Sequence, residues 1–317
     1  MSPRIAVILP CYNEEAAIGL TVAGFRAALP GADIYVFDNN SADRTTQMAA
    51  EAGAIVRREP MQGKGHVVRR MFADIEADIY VMADGDATYD AAAAPAMIRR
   101  LMDEHLDMVV GARASEIDAA YRRGHRFGNR LLTGILARLF GRTFSDILSG
   151  YRVFSRRFVK SFPILSAGFE IETEISVHAL ELRMPVAEIV TQYGARPEGS
   201  TSKLSTYRDG WRILSTILTL FRIERPVLYF GSLGAVLALI AVVLAAPLII
   251  TYARTGLVPR QPTAILVTGL AIVACLCFFA GLILDTVVRG RREMRRLAYL
   301  ALRPPEIAGR DNLAAAQ

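Results

Sequence analysis

Residues 4 to 40 read RIAVILPCYNEEAAIGLTVAGFRAALPGADIYVFDNN. A short β-branched run, a stretch of helical pattern and a second β-branched run follow one another, which is the order of a strand–helix–strand unit. AIVRRE, DIYVMAD and DMVVGAR carry the alternation on to residue 113, so the segment predicts an α/β domain with a doubly wound, mostly parallel sheet. Ligands of such sheets sit outside the carboxyl ends of the strands. Pro10 to Glu14, Asp38 to Asp43, Asp84 to Asp86 and Arg113 each follow a strand run directly, and the sheet would gather them at one edge. VAEIVTQY, residues 186 to 193, predicts a further strand that delivers Arg196 and Lys203 to the same side.

Each polar group has a chemical and a bland reading. Asp84-Gly85-Asp86 offers two carboxylates that can share a divalent cation bridging a diphosphate; alone, Asp-Gly-Asp after a strand is more often a tight turn. Its central place in the sheet favours the first reading. Asp38, at the end of the second strand run, stands where an acidic residue commonly meets a nucleoside, whereas Ser41 and Asp43 suit helix capping. Gln62-Gly63-Lys64-Gly65 supplies one cation on a permissive backbone, for a diphosphate or for close packing. It lacks the GxxxxGK[ST] spacing of nucleotide hydrolases. Asp146 to Arg152 (DILSGYR) and Gly168 to Glu174 (GFEIETE) set polar groups beside aromatic ones, and Glu170, Glu172 and Glu174 read equally as a helix or strand face or as site residues. The four histidines (His66, His105, His125, His178) form no metal pattern, and no nucleophile–base–orienting triad appears. Cys11, Cys275 and Cys277 are too few and too scattered for a disulfide framework, consistent with a reducing compartment.

Apolar residues make up 52% of the 317, and mean hydropathy is +0.29, because two runs near the end are almost wholly apolar. Pro226 to Tyr252 (PVLYFGSLGAVLALIAVVLAAPLIITY) carries no charge and as a helix would reach about 39 Å, beyond a hydrocarbon core of roughly 30 Å. Thr263 to Leu284 follows across a short connection, so the pair predicts a transmembrane hairpin rather than a helical hairpin buried in a soluble core. Pro247 predicts a mild kink in the first span. Arg254 and Arg260 flank the connection, against Arg222, Arg225, Arg289, Arg291, Arg292, Arg295 and Arg296 on the other side; this asymmetry places both chain ends in the cytoplasm. The first residues lack a signal peptide's apolar core and cleavage site, in keeping with that placement. Residues 128–141 and 207–223 alternate Arg with large apolar residues at helical spacing and read either as interfacial helices or as core-facing amphipathic helices; the second leads directly into the first span, which favours the interface for it. The expected organisation is a cytoplasmic domain over 1–206, a juxtamembrane amphipathic helix over 207–225, two spans within 226–288 and a basic cytoplasmic tail over 289–317. The net charge of +6 is concentrated at these membrane flanks, which excludes a nucleic-acid groove.

Pro10-Cys11-Tyr12-Asn13-Glu14-Glu15, Asp38-Asn39-Asn40-Ser41, the Gly-Lys-Gly, Asp84-Gly85-Asp86, Asp146 to Arg152 and Arg196 to Leu204 stand in the order seen in family 2 inverting glycosyltransferases. The chain resembles the dolichol-phosphate mannosyltransferase and polyprenyl-phosphate glycosyltransferase branch, over roughly residues 4 to 210. The resemblance implies a GT-A fold, a nucleotide-sugar donor and a polyprenyl phosphate acceptor, undecaprenyl or dolichyl, with inversion. It implies that Pro10, Tyr12, Glu14, Asp38, Asn40, Lys64 and Asp84 bind the donor nucleotide, and that Asp84 and Asp86 hold Mg²⁺ or Mn²⁺ and act in catalysis with Arg113. Arg126, Asn129, Arg130, Arg196 and Lys203 would hold the acceptor phosphate; Thr88 falls where relatives often carry Gln. UDP- and GDP-linked sugars are both open as donors, and so is a homo-oligomer. A processive polysaccharide synthase would need more spans and a Gln-x-x-Arg-Trp motif, which this chain lacks.

Overall fold

The computed structural model describes residues 3–114, 134, 144–164, 166–168, 170–197, 215, 218–219, 221–223 and 225–304. They fall into two compact units, Met1–Ile213 with Arg295–Gln317, and Leu214–Met294.

The first unit is built on a seven-stranded sheet. Its strands are β1 (Ile5–Cys11), β2 (Asp33–Asp38), β3 (Ile55–Arg58), β4 (Ile79–Met82), β5 (Met108–Ala114), β6 (Arg152–Ser155) and β7 (Val186–Gln192), in the spatial order β3-β2-β1-β4-β6-β5-β7. Every pairing is parallel except those of β6, which runs antiparallel to both β4 and β5. The five strand runs of residues 4–113 and the one at 186–193 are therefore strands, and the mostly parallel α/β expectation holds. β6 is a strand that the sequence pattern does not announce. It spans four residues and opens on an arginine, too short and too polar at its start for a period-two signal.

Alternation along the strands sorts two apolar faces. Val7, Leu9, Ile34, Val36, Ile79 and Val81 point to one side, where α1 (Ile18–Ala28) lays Ile18, Val22 and Phe25 against them, and α4 (Ala94–Asp103) adds Met97, Ile98 and Leu101. Those spacings of three and four residues are the reason each helix is amphipathic in this register. Asp90 accepts a hydrogen bond from the Ala92 amide and so caps the 3₁₀ turn Ala91–Ala93 that leads into α4, and Pro95 sits in the first turn of α4 itself. The other face carries an aromatic cluster: Phe72 from α3 (Lys64–Asp74), Tyr80, Phe154, and Phe158 from α5 (Arg156–Ser161), with Phe154 and Phe158 stacked at 4.9 Å. α2 (Thr45–Glu51) follows β2, and α6 (Ile171–Glu181) precedes β7.

Arg152 is fully buried at the start of β6. Its guanidinium donates to the carbonyls of Ser149 (2.9 Å), Ile147 (2.5 Å) and Glu172 (3.1 Å) and to Ser176 Oγ (2.9 Å). Burial lowers its pKa to about 10, so it stays charged near neutrality. The side chain thus ties the 147–149 turn to α6.

In the second unit, α7 (Pro226–Thr255) and α8 (Gln261–Leu300) are 30 and 40 residues long, and each is long and apolar enough to cross a membrane. α7 ends at Gly256, whose positive φ of 69° is the left-handed cap that glycine favours. The helices touch through small residues: a Cβ on Gly234 would meet the Ala274 carbonyl at 2.9 Å, and one on Gly281 would meet Val227 and Phe230 at 3.3–3.4 Å. The apolar run stops at Leu284 but the helix does not. Beyond it Asp285 pairs with Arg289 one turn on, no proline intervenes, and helical geometry continues to Leu300. The last turns, from Arg295, count with the sheet unit: Arg295 pairs with Glu181 at 2.7 Å, and the Tyr299 hydroxyl donates to Asp107 at 2.7 Å beneath the Arg157 guanidinium. Most of the two proposed interfacial segments, 128–141 and 207–223, lies outside the described residues.

Candidate active site

The parallel strands deliver their carboxyl ends to one edge, and β6 begins there. The chain after β1 turns through Tyr12 and Asn13, the latter at φ 52°, and the chain after β2 through Asn39 and Asn40, the latter at φ 62°. Side chains lace the two turns together. Asn13 donates its amide N–H to Ser41 Oγ and accepts from the Ala42 amide at Oδ1, both at 2.8 Å, while the Glu14 amide donates to Thr45 Oγ1 at 2.8 Å. Asp38, buried, accepts from the Ser41 amide at 3.2 Å, so Ser41 closes the loop toward Asn13 rather than capping α2. Asn39 reaches the next loop, donating to the Glu59 and Met61 carbonyls and accepting from the Gly63 amide. Tyr12 stands exposed on this rim, and Pro10 is buried beneath it.

Asp84, Gly85 and Asp86 follow β4 at the centre of the edge. There is no room for a side chain at Gly85: a Cβ would lie 2.3 Å from Cys11 Sγ. Gly150, just before β6, backs the first carboxylate as closely, since a Cβ there would sit 2.7 Å from Asp84 Oδ2. Asp86 is buried and accepts from Thr88 Oγ1 at 2.6 Å and from the Thr88 amide at 3.2 Å. Burial, followed by the neighbouring Asp84 charge, pushes the Asp86 pKa up, against the opposing pull of Arg196. Burial likewise raises the Cys11 thiol well above its usual range, with nearby carboxylates adding to it, so Cys11 is no nucleophile.

Each of these two carboxylates is met by a cation, and each cation is held by a second carboxylate. Lys64 Nζ lies 2.5 Å from Asp84 Oδ1 and 2.5 Å from Glu172 Oε1. Burial alone would lower the Lys64 pKa, but the two carboxylates outweigh it and raise it, so the ammonium is firmly protonated. Arg196 lies 2.6 Å from Asp86 Oδ2 and 3.5 Å from Glu14 Oε1. It is set there by the chain after β7, where the Gly194 amide donates to the Thr88 carbonyl and Tyr193 bridges Tyr89. Arg113, at the end of β5, forms a bidentate pair with Asp146 at 2.7 and 2.8 Å and lies over the Tyr193 ring at 5.5 Å. Glu188 of β7 accepts from the amides of Ser145 and Asp146 and so fixes the loop that carries Asp146.

The structure therefore brings Pro10, Tyr12, Glu14, Asp38, Asn40, Lys64, Asp84, Asp86, Arg113 and Arg196 to one edge. Arg126, Asn129, Arg130 and Lys203 lie outside the described residues. Sequence reasoning left Glu172 undecided. It is the second residue of α6, buried, 108 positions from the lysine it holds, and nothing local in GFEIETE separates it from Glu170 or Glu174. Gly63 and Gly65 prove to be packing glycines, whose added Cβ atoms would strike the carbonyls of Ala167 and Ser166 at 2.2 and 2.1 Å; between them Lys64 is aimed at the carboxylates.

A divalent cation fits this arrangement. Asp84, Asp86, Glu14 and Glu172 set four negative charges against the two positive charges of Lys64 and Arg196, an excess of two. Among the described residues no group of three His, Cys, Asp or Glu side chains gathers as a closed cage. Two carboxylates with remaining positions left to a substrate diphosphate and water is the usual manner of holding Mg²⁺.

Comparison with known proteins agrees with this geometry. The sequence profile described as "Glycosyl transferase family 2" matches residues 6–162. "Glycosyltransferase AglJ" of Haloferax volcanii is 35% identical over 232 residues, 73% of this chain and 76% of the relative. A "Dolichyl-phosphate hexose transferase" of the same organism is 26% identical over 221 residues, 70% of this chain and 95% of the relative. Among solved structures, Mycobacterium tuberculosis glucosyl-3-phosphoglycerate synthase in complex with Mn²⁺ and UDP-glucose superposes with a TM-score of 0.57 at 24% identity, covering 69% of this chain and 78% of that one. That likeness bears on the fold, which is GT-A.

Proposed function

The chain belongs to glycosyl transferase family 2 and is a glycosyltransferase, and from that premise we propose that it moves a sugar from a nucleotide-sugar donor onto the phosphate of a polyprenyl lipid, with inversion. The observation that carries the acceptor class is the company the site keeps: a doubly charged carboxylate centre in a chain that also has two helices long enough to cross a bilayer. A similar protein named for dolichyl phosphate supports it.

Tyr12 and Asp38 line the nucleoside, with Pro10 and Asn40 shaping the rim. Asp84 and Asp86 would hold Mg²⁺ or Mn²⁺, which would supply charge neutralisation for the donor diphosphate. The attacking group is a phosphate monoester whose second pKa is about 6, so its oxygen is anionic near neutrality and no side chain has to remove a proton. That agrees with a site in which the carboxylates nearest the centre are engaged with Lys64, Arg196 and Arg113. The work of the protein is positioning and charge compensation. Arg196 bridges the Asp86 side of the donor centre to the acceptor phosphate, and Arg113, braced by Asp146, does the same from β5. Arg126, Asn129, Arg130 and Lys203 complete the acceptor clamp. The catalytic unit and both chain ends lie on the cytoplasmic side.

Incubating the detergent-solubilised chain with labelled UDP- and GDP-sugars and undecaprenyl phosphate tests the reading. One donor should give label in the lipid extract, and both EDTA and Asp86→Asn should abolish it while leaving the protein folded. Undiminished transfer in EDTA would remove the metal from this account.

A further inference from the structure

Lys64 is shared. Its ammonium sits between Asp84, one of the two carboxylates proposed to take the divalent cation, and Glu172 of α6. Glu172 is held from behind: its backbone carbonyl accepts from the buried Arg152 at 3.1 Å and from Ser176 Oγ at 2.9 Å, and the preceding segment packs on Gly63 and Gly65 with no room for a Cβ. The lysine side chain is only 9% exposed and that of Glu172 6%, so both charges are largely removed from solvent.

A dication arriving at Asp84 repels the ammonium already there. A desolvated lysine beside it needs a second anion within reach, or the metal and the lysine compete for one carboxylate. Resting on the metal-dependent reading above, we propose that Glu172 is a positioning residue: it provides the second seat for Lys64, which lets Asp84 turn from its lysine to the divalent cation. The role belongs to the pair. Glu172 needs to touch neither sugar nor lipid, and its ion pair with Lys64 sets it apart from a general base.

The test is Mn²⁺ binding to the full chain in detergent, followed by the loss of the free-ion EPR signal, in the presence of UDP and separately of GDP. Glu172→Gln removes one of the two carboxylates that hold Lys64, shifts its charge onto Asp84, and should weaken Mn²⁺ binding about tenfold or more, the scale of one charge-assisted contact. Adding Lys64→Met to it removes the competitor and restores the charge balance, so the double variant should recover to within about threefold of wild type. A purely structural glutamate predicts the opposite, since the second change could only add damage. Wild-type affinity in Glu172→Gln, or a double variant no better than the single one, overturns the proposal while the metal reading stands. No Mn²⁺ binding by the wild type with either nucleotide overturns both. Glu172→Asp, which keeps the charge, should bind more tightly than Glu172→Gln; equal weakening in the two would count against the second-seat role.

Discussion

Asp84 owes its position to what is missing opposite it. Gly150 leaves the space that its carboxylate occupies, so a methyl there, 2.7 Å from Oδ2, has to turn the carboxylate aside rather than move the strand. Gly150→Ala should therefore lower kcat/KM substantially, since a displacement of about 1 Å near the chemistry can cost on the order of 100-fold, while the melting temperature changes little. A variant that melts like wild type and turns over like it would mean that Asp84 does not need this orientation. Several pieces at this scale were readable from sequence because each follows a strand directly: Asp38, Asp84, Asp86 and Arg113 required only the topology to bring them together. Lys64 with Glu172 and Arg196 with Asp86 were not readable as pairs, since the contacts span 108 and 110 positions and depend on the way loops after different strands fold back. The aspartate–glycine–aspartate sequence alone reports a turn; only the cations and the second carboxylates around it report a centre with an excess of two negative charges.

Among elements, α6 carries the most charge-sensitive packing. His178 lies on it between Phe158 and Phe162, at 5.5 and 4.9 Å, and neither ring nitrogen has a hydrogen-bond partner among the described residues. Burial, then the Arg295 charge, lowers its pKa to about 3, with Glu181 opposing weakly, so the folded state holds the ring neutral. The unfolded chain takes up a proton below about 6.5 and the folded one does not until about 3, so the stability is fully present above pH 6.5 and is lost as pH falls through that window. Between pH 7 and 5 the loss should be about 2 kcal/mol. Thermal unfolding of His178→Leu in detergent should show a smaller drop in melting temperature over this interval than wild type. An identical drop would place the acid sensitivity elsewhere. Element type was legible wherever a period ran long enough: the strands at 4–113 and at 186–193 show it, as do the two long apolar helices. β6 was illegible because four residues beginning with a buried arginine carry no pattern, and the helix beyond Leu284 was illegible because the apolar signal ends before the backbone does.

At the scale of the whole molecule, the arginines that flank α7 and α8 predict a sidedness. Arg222, Arg225 and the run from Arg289 to Arg296 outnumber Arg254 and Arg260, which would put residues 253–262 on the exterior by the positive-inside rule. With Cys11, Cys275 and Cys277 replaced by alanine, Thr255→Cys in intact cells should react with an impermeant maleimide; reaction only after lysis would reverse the orientation. The proposed acceptor is a phosphate carried by a lipid. It is tested most directly by giving the full chain its preferred labelled nucleotide sugar together with undecaprenyl phosphate and 3-phosphoglycerate in the same detergent mixture, and by following where the label goes. Label should appear in an organic-extractable sugar phosphate of inverted anomeric configuration, be absent with Asp86→Asn and be absent from the aqueous phosphate ester. Label transferred to 3-phosphoglycerate, with none in the lipid, would contradict it.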